Sequence, residues 1–195
     1  MTSQDSAEPT TSRWTRATVY ADMWVDPADD AREGGPSLGD ERTTLLEYLR
    51  TQRITLEMKC ADLDADGLAR RSVPPSTMSL LGLVRHMAEV ERSWSRRIMS
   101  GLDVPKLYCT AEDRDGDWNG AVADPDVVAE AWRAWREECA FTDRFVAETP
   151  DLGVADIRDG HISLREVLVH LIEEYARHNG HADLIRERVD GRVGQ

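Results

Sequence analysis

Three ionisable side chains, His86, Glu174 and His178, are the residues of this sequence whose types and spacing best suit a chemical site. Glu174 and His178 are four residues apart, and residues four apart on a helix lie one turn above each other on the same face. Their carboxylate and imidazole can therefore reach one point, to which His86 would add a second imidazole. Two histidines and one carboxylate form a ligand set of catalytic zinc and of non-haem iron, in which other coordination positions stay open. The residue types thus indicate a divalent-metal site.

The stretch from Ser163 to Val189 is predicted to form one long helix that carries Glu174 and His178. Its apolar residues recur at steps of three and four, which is the pattern of a core-facing stripe. They are Leu164, Val167, Leu168, Leu171, Tyr175, Ala182 and Ile185. A capping box, Ser163 with Glu166 three residues later, marks the start of the helix. Glu174 and His178 fall inside or beside the stripe, where ionisable groups are costly to bury without a partner such as a metal ion.

His86 belongs to a second predicted helix, which begins at Ser79. The inner face of this helix consists of Leu83, Met87, Val90, Trp94 and Ile98. His86 falls between members of that face and is expected to point inward or nearly so. It follows Ser79 at the same offset at which His170 follows Ser163. The two similar helix starts suggest a bundle whose halves are related by a pseudo-twofold axis.

Two other interpretations of these polar residues remain open on spacing alone. A single inward histidine is usually a core residue with satisfied hydrogen bonds, and the buried histidines and glutamate could satisfy one another in a purely structural bundle. That interpretation predicts little loss of function when His86 is replaced. His170 and His181 also compete with the three residues, either as ligands or as partners that orient the ligands.

Other candidate sites in the sequence fit their chemistry less well. The run 62–67 matches the first half of a calcium-binding EF-hand loop, but Val73 stands where a bidentate glutamate is required. We therefore interpret this run as the polar end of the first long helix. The acidic run 113–118 has its glycine at the wrong offset for such a loop and is interpreted as a solvated loop. Cys60 and Cys139 are expected to be small buried hydrophobic residues rather than nucleophiles.

Length, charge and cysteine content limit the classes of protein to which this chain can belong. The chain has 195 residues, enough for one domain with a sizeable core. Its formal net charge of −13 argues against nucleic acid or an anionic membrane as a partner. It shows neither an apolar run long enough to span a bilayer nor an apolar leader. Three cysteines without a paired framework are typical of a reducing cytoplasm.

The predicted architecture is all-α, a four-helix bundle over residues 40–190 behind an N-terminal extension over residues 1–39. The predicted long helices are 40–63, 79–100, 125–149 and 163–189. A short piece within 154–162 is the one strand candidate. The extension is polar and expected to be partly disordered, although Tyr20, Met23 and Trp24 are apolar enough to pack on a neighbour.

Two runs of the sequence resemble the DinB-like superfamily of four-helix bundles. They are SVPPSTMSLLGLVRHMAEVER, residues 72–92, and HLIEEYARHNGHADLIRE, residues 170–187. The similarity extends over about residues 20–190 and is strongest to the actinobacterial branch of mini-circle proteins.

The resemblance implies a ligand set as well as a fold. DinB-like proteins bind a divalent metal through one histidine of the second helix and a pair four apart on the fourth, commonly His-x-x-x-His. Carried over to this sequence, the ligands are His86, Glu174 and His178. Glu174 departs from the common pair and is similar to the Glu-x-x-x-His of mycothiol-dependent maleylpyruvate isomerase. His181 stands where many relatives have glutamine, so it is expected to orient the ligands rather than bind the ion. His170 is the other candidate for an orienting role.

The function that the resemblance implies is thiol transfer. Several members of the superfamily are S-transferases that use a low-molecular-weight thiol, which is mycothiol in actinobacteria. We therefore expect a metal-dependent mycothiol S-transferase with zinc as the ion and a small electrophile as the second substrate. Trp94, Trp132 and Tyr175 could line its pocket, although core packing explains them equally well. The alternative is a non-catalytic metal-binding stress or partner-binding protein. For either function the resemblance implies a homodimer, because bundles of this family often pair through an exposed helix face.

Overall fold

The computed structural model describes residues 24–25, 29–36 and 38–194, and over these residues it is an all-α bundle. Four long helices and two short ones follow one another in the described chain. They are α1 Glu41–Cys60, α2 Ala65–Ala69, α3 Leu80–Glu91 with a π-helical continuation Arg92–Met99, α4 Gly116–Asn119, α5 Pro125–Glu148 and α6 Leu164–Asp190. The predicted fold class is confirmed, and no strand occurs in the described residues. One isolated antiparallel bridge joins Ala155 to Ser163, at the edge of the strand candidate.

Each long helix begins at a side chain that caps its free backbone N–H groups. The Asp40 and Ser79 side chains accept from the third residue beyond them, at 2.8 Å and 3.1 Å. Asp124 accepts from the backbone N–H of Asp126 at 2.8 Å, just before the proline that opens α5. The Ser163 and Glu166 side chains form the predicted capping box. Polar caps of this kind satisfy donors that have no partner within the helix.

The bundle brings the two helices of interest side by side. α1 packs mainly against α6, and α3 packs against both α5 and α6. The fully buried apolar side chains come largely from α1, α3 and α6 and include Leu49, Leu56, Leu80, Leu81, Leu83, Met87, Leu168 and Leu171. The predicted α6 stripe is buried throughout, whereas on the second helix only Leu83 and Met87 of the predicted inner face are fully buried and Val90, Trp94 and Ile98 are partly exposed. α3, which carries His86, therefore lies directly against α6, which carries Glu174 and His178.

The second long helix differs from prediction in its last turns, which are π-helical from Arg92 to Met99. The wider turns are accompanied by a Ser100 hydroxyl that donates to the carbonyls of Ser95 and Arg96, at 2.8 Å and 2.9 Å. The prediction rested on the 3.6-residue period of an α-helix, and this period does not distinguish α-helical from π-helical turns. Such segments are frequent at functional sites.

Two loops contain short helices that the sequence interpretation missed. The run 62–67 is not the end of the first long helix, which stops at Cys60; the chain turns at Asp62 and starts α2 with Asp64 as its cap. The Asp64 side chain accepts from the backbone N–H of Gly67 at 2.8 Å. An aspartate that can cap a helix competes with helix continuation, which explains the error. α4 lies inside the acidic loop after α3.

The prediction for the N-terminal extension falls mostly outside the described residues, and Tyr20 and Met23 lie there too. Trp24 is described and is 6% exposed, as expected for an apolar residue that packs on a neighbour. Its ring lies under the Lys59 ammonium and the Arg192 guanidinium, at 4.2 Å and 3.9 Å from the ring centroid. Among the described helices, none has the length and hydropathy needed to cross a membrane.

Candidate metal centre

The fold brings His86, Glu174 and His178 together at one point between α3 and α6. One ligand atom from each residue lies within 4.8 Å of the ligand atoms of the other two. Glu174 Oε2 is 3.4 Å from His178 Nε2, and the two imidazole rings have centroids 4.7 Å apart. The side chains of His86 and Glu174 are 24% and 26% exposed, so the cluster is open to solvent on one side.

Each histidine of the cluster has a partner at its Nδ1 atom. His86 Nδ1 lies 2.7 Å from the Asp117 carboxylate, and His178 Nδ1 lies 3.3 Å from Nδ1 of His181. An ionised carboxylate can only accept, so His86 carries a proton on Nδ1, and the neutral form of the ring then has its lone pair on Nε2. His178 directs Nε2 towards Glu174, and a proton on its Nδ1 would satisfy His181 as the acceptor. Both rings can thus present Nε2 to the centre of the cluster.

The second oxygen of Glu174 also has a histidine neighbour. Glu174 Oε1 lies 3.4 Å from His170 Nε2, one turn earlier on α6. The His170 ring packs in turn against Trp94 on the π-helical segment, with ring centroids 4.4 Å apart. The two additional histidines named from the sequence, His170 and His181, therefore each contact one member of the cluster.

The acidic loop contributes a buried carboxylate to the site, so its interpretation as a solvated loop is wrong for this residue. The Asp117 side chain is 5% exposed, and its second oxygen accepts from the backbone N–H of Trp118 at 3.0 Å. Burial alone would raise the pKa of Asp117, but the hydrogen bond and charge of His86 hold it below its usual value. Spacing could not find Asp117, because it lies far from His86 along an irregular chain. Trp118, a large aromatic in an otherwise polar acidic run, was the signal that the loop folds back onto the bundle.

Trp118 packs against the imidazoles of the cluster. Its ring is stacked on His86 with centroids 4.9 Å apart, and it lies 6.2 Å from the His178 ring. The close approach requires glycine at position 82, because a Cβ there would lie 2.7 Å from the Trp118 ring. Gly82 and His86 are one turn apart on α3, so the same helix face accepts the indole and carries the imidazole.

The environment of His178 favours a neutral ring. Burial, together with the neighbouring His86, His181 and Arg177, lowers the pKa of His178 from 6.5 to about 4. A metal ion binds the neutral imidazole, so a ring that resists protonation is suited to that role.

Comparison with known proteins places the chain in a family. Residues 44–191 of the 195 match the model of the mycothiol-S-transferase family. The chain belongs to this family. The match confirms the relationship to mycothiol-linked DinB-like proteins that the two sequence runs indicated. A search of curated proteins found no match to the chain.

Of the three aromatic residues considered as pocket walls, Tyr175 and Trp132 do not pack against the cluster. Tyr175 is completely buried, and its hydroxyl donates to Glu91 at 3.0 Å and accepts from the Trp135 indole N–H at 2.7 Å. Trp132 packs edge-on against Trp135 on α5 and not against the cluster. Trp94, through its contact with His170, is the member of the trio that borders the site.

The buried acceptor Glu91 joins the helices that surround the site. Besides the Tyr175 hydroxyl, it accepts from Arg53 Nε at 2.8 Å and from the Thr142 hydroxyl at 2.6 Å. These donors come from α1, α5 and α6, while Glu91 ends the α-helical part of α3. One carboxylate therefore ties four helices together, which fixes the spacing of α3 and α6.

The cysteines take no part in the cluster. All three are free thiols, and Cys60 and Cys139 are buried as predicted. Burial raises the pKa of Cys60 to about 12, which makes it a poor nucleophile. A separate cavity of about 660 Å³ lies between α1 and α5, but none of the three cluster residues lines it. The Arg53 guanidinium in its wall is already paired with Glu91 and Asp143.

Proposed function

We propose that this protein is a divalent-metal-dependent S-transferase that joins the thiol of mycothiol to an electrophilic small molecule. His86, Glu174 and His178 would hold the ion. The observation that carries the proposal is the convergence of these three side chains in a chain that belongs to the mycothiol-S-transferase family.

The donor set fits a divalent ion with an open coordination position. Two imidazole nitrogens and one carboxylate are the protein ligands of many catalytic zinc sites, so zinc is the ion we expect. Both histidines have a partner at Nδ1, which leaves Nε2 available as the donor atom. The partial exposure of His86 and Glu174 supports access for a small thiol. Three protein ligands leave room for that thiol in a tetrahedral site.

A divalent ion bound there would supply a Lewis acid that stabilises a thiol as its thiolate near neutral pH. Neighbouring residues of the chain contact all three proposed ligands. Asp117 and His181 contact the outer nitrogens of the two ligand histidines, and His170 contacts the free oxygen of Glu174. We propose that His170 and His181 orient the ligands rather than bind the ion.

In the overall reaction the S–H bond breaks and the sulfur forms a bond to an electrophilic carbon of the second substrate. That carbon either releases a leaving group with its electron pair while the thiol proton passes to solvent, or belongs to a double bond whose π electrons move to the neighbouring atom, which then takes up the proton. The reaction needs a reduced thiol pool, so we propose the cytoplasm as its compartment. The three free cysteines agree with a reducing environment.

Metal content and thiol binding test the proposal together. Wild-type protein purified without a histidine tag is expected to hold about one equivalent of zinc, and Glu174→Ala to hold almost none, because three ligands are needed for a stable site. Glu173→Ala is the matched control, since Glu173 is the neighbouring glutamate and its side chain is 69% exposed. It should retain the metal.

Thiol binding then separates the enzyme from a non-catalytic metal protein. Cobalt-loaded wild type should develop a sulfur-to-cobalt charge-transfer band when mycothiol is added, and Glu174→Ala should not. Failure of wild type to bind any added zinc would overturn the proposal. Metal binding without a mycothiol signal would favour the non-catalytic alternative.

A further inference from the structure

Asp117 is hydrogen-bonded to His86, one of the three proposed metal ligands. Its Oδ2 atom lies 2.7 Å from His86 Nδ1, and its Oδ1 atom accepts from the Trp118 backbone N–H at 3.0 Å. The residue is 3% exposed, so both carboxylate oxygens are used inside the protein rather than by solvent. A buried carboxylate is costly unless it is paired, and here the paired group is the imidazole that faces the cluster.

We propose that Asp117 is a positioning residue that fixes the Nδ1–H tautomer and the ring direction of His86, and thereby sets how tightly the cluster holds its metal ion. This inference rests on the proposed function. A carboxylate that accepts from a ligand histidine also makes the far nitrogen a better donor. With Asp117 in place, Nε2 of His86 is the nitrogen that meets the ion.

The carboxylate is itself held by the helix that carries His86. Arg85 donates from Nε to the backbone carbonyl of Asp117 at 2.9 Å and from Nη2 to that of Gly116 at 3.0 Å. One turn further on, Glu89 accepts from the backbone N–H groups of Leu107 and Tyr108. The loop around α4 is therefore anchored to α3 at two places, at Leu107 and Tyr108 and at Gly116 and Asp117 itself. An anchored support is needed, because a ligand must be held within a fraction of an ångström to bind well.

A purely structural role for Asp117, as a clamp on its loop, predicts a different result from a role in positioning the ligand. A clamp would affect the free energy of unfolding and leave the zinc affinity of the folded protein unchanged. A positioning residue would change the affinity and the tautomer of His86. Asp115→Asn provides the matched control, because Asp115 is an exposed aspartate of the same loop whose side chain makes no capping bond.

The test is zinc affinity measured by competition with a chromogenic chelator, on the full chain. We expect Asp117→Asn to bind zinc about 10–100-fold more weakly than wild type, and Asp115→Asn to stay within about twofold of wild type because it leaves the outer partner in place. Equal affinity in wild type and Asp117→Asn would overturn the inference while the proposed metal site stands. No zinc binding by wild type would overturn both.

The tautomer gives a second readout, which is taken on the wild-type protein. Long-range ¹⁵N NMR of metal-free wild-type protein, with His86 assigned from His86→Gln, should show the proton of His86 on Nδ1. A proton on Nε2 in wild type would overturn the inference. In Asp117→Asn the amide can donate as well as accept, so the Nε2–H form should gain population.

Discussion

Removal of one hydroxyl, in Tyr175→Phe, tests whether Tyr175 belongs to the framework behind the site or to the substrate pocket. The hydroxyl donates to the buried Glu91 carboxylate at 3.0 Å and accepts from the Trp135 N–H at 2.7 Å. Loss of a hydrogen bond to a charged group costs about 1.5–3 kcal/mol, and a buried N–H left without an acceptor costs about 1–3 kcal/mol. Neighbouring effects of this kind are not additive, so we expect a total loss of about 3 kcal/mol in the free energy of unfolding.

Urea unfolding followed by circular dichroism measures this loss. For an m value of about 2 kcal/mol/M the midpoint should fall by about 1.5 M. Tyr48→Phe is the control, because the Tyr48 side chain is on the surface and 61% exposed. A surface change of this kind should stay within about 0.5 kcal/mol of wild type.

The opposite pattern would refute the reasoning. If Tyr175→Phe kept wild-type stability and instead lost affinity for mycothiol, its hydroxyl would have to face the ligand rather than Glu91. The buried network would then not be what holds α3 and α6 in position.

Three further measurements probe the surroundings of the site. The pKa of His178 is lowered from 6.5 to about 4, so the unfolded chain binds more protons in that window, and the stability of the metal-free protein is expected to fall as the pH drops from about 6.5 towards 4. Between pH 7.5 and 5 the protonation of His178 should lower the free energy of unfolding by about 2 kcal/mol. The free energy of unfolding of wild type minus that of His178→Gln should decrease by this amount over the same range, and a constant difference would contradict the prediction. Gly82→Ala places a Cβ 2.7 Å from the Trp118 ring, and we expect a loss of about 1–3 kcal/mol together with altered tryptophan fluorescence, whereas unchanged spectra would contradict that packing. Buried Cys60 should react with a disulfide reagent far more slowly than half-buried Cys109, and Cys109→Ser should remove the fast phase; a fast phase that survives would show that the burial argument is wrong.

The parts of the site that follow from helical periodicity could be predicted from sequence. Glu174 and His178 share a face because they are four residues apart on one helix, and their inward direction follows from the apolar stripe around them. His86 was placed by its phase within a second stripe. That α3 and α6 lie side by side does not follow from either stripe; it follows from packing in the bundle.

The residues that contact the cluster from outside were only partly predictable. Those on the same helix could be predicted, whereas the one from a distant loop could not. His170 and His181 lie on the same helix as the residues they contact, so helical geometry indicated them. Asp117 reaches His86 across an irregular loop, where no periodicity relates sequence to position. The π-helical turns after α3 are also invisible to a 3.6-residue pattern, yet they carry Trp94, which packs on His170.

Hydrogen bonds within the protein join the two helices that carry the cluster and hold the loop beside it. Glu91 lies on the helix that carries His86, and Tyr175 directly follows Glu174. The hydrogen bond from the Tyr175 hydroxyl to Glu91 therefore joins the two helices that carry the cluster. On the outer side, Asp117 and its loop hold His86 through bonds to the same helix. Structural zinc sites fold around their ion, whereas a catalytic site keeps an open position in a framework that already stands. The cluster here is supported by protein–protein contacts on its inner and outer sides and is partly exposed at His86 and Glu174, so under the proposed function the exposed side is where an ion and a thiol would bind.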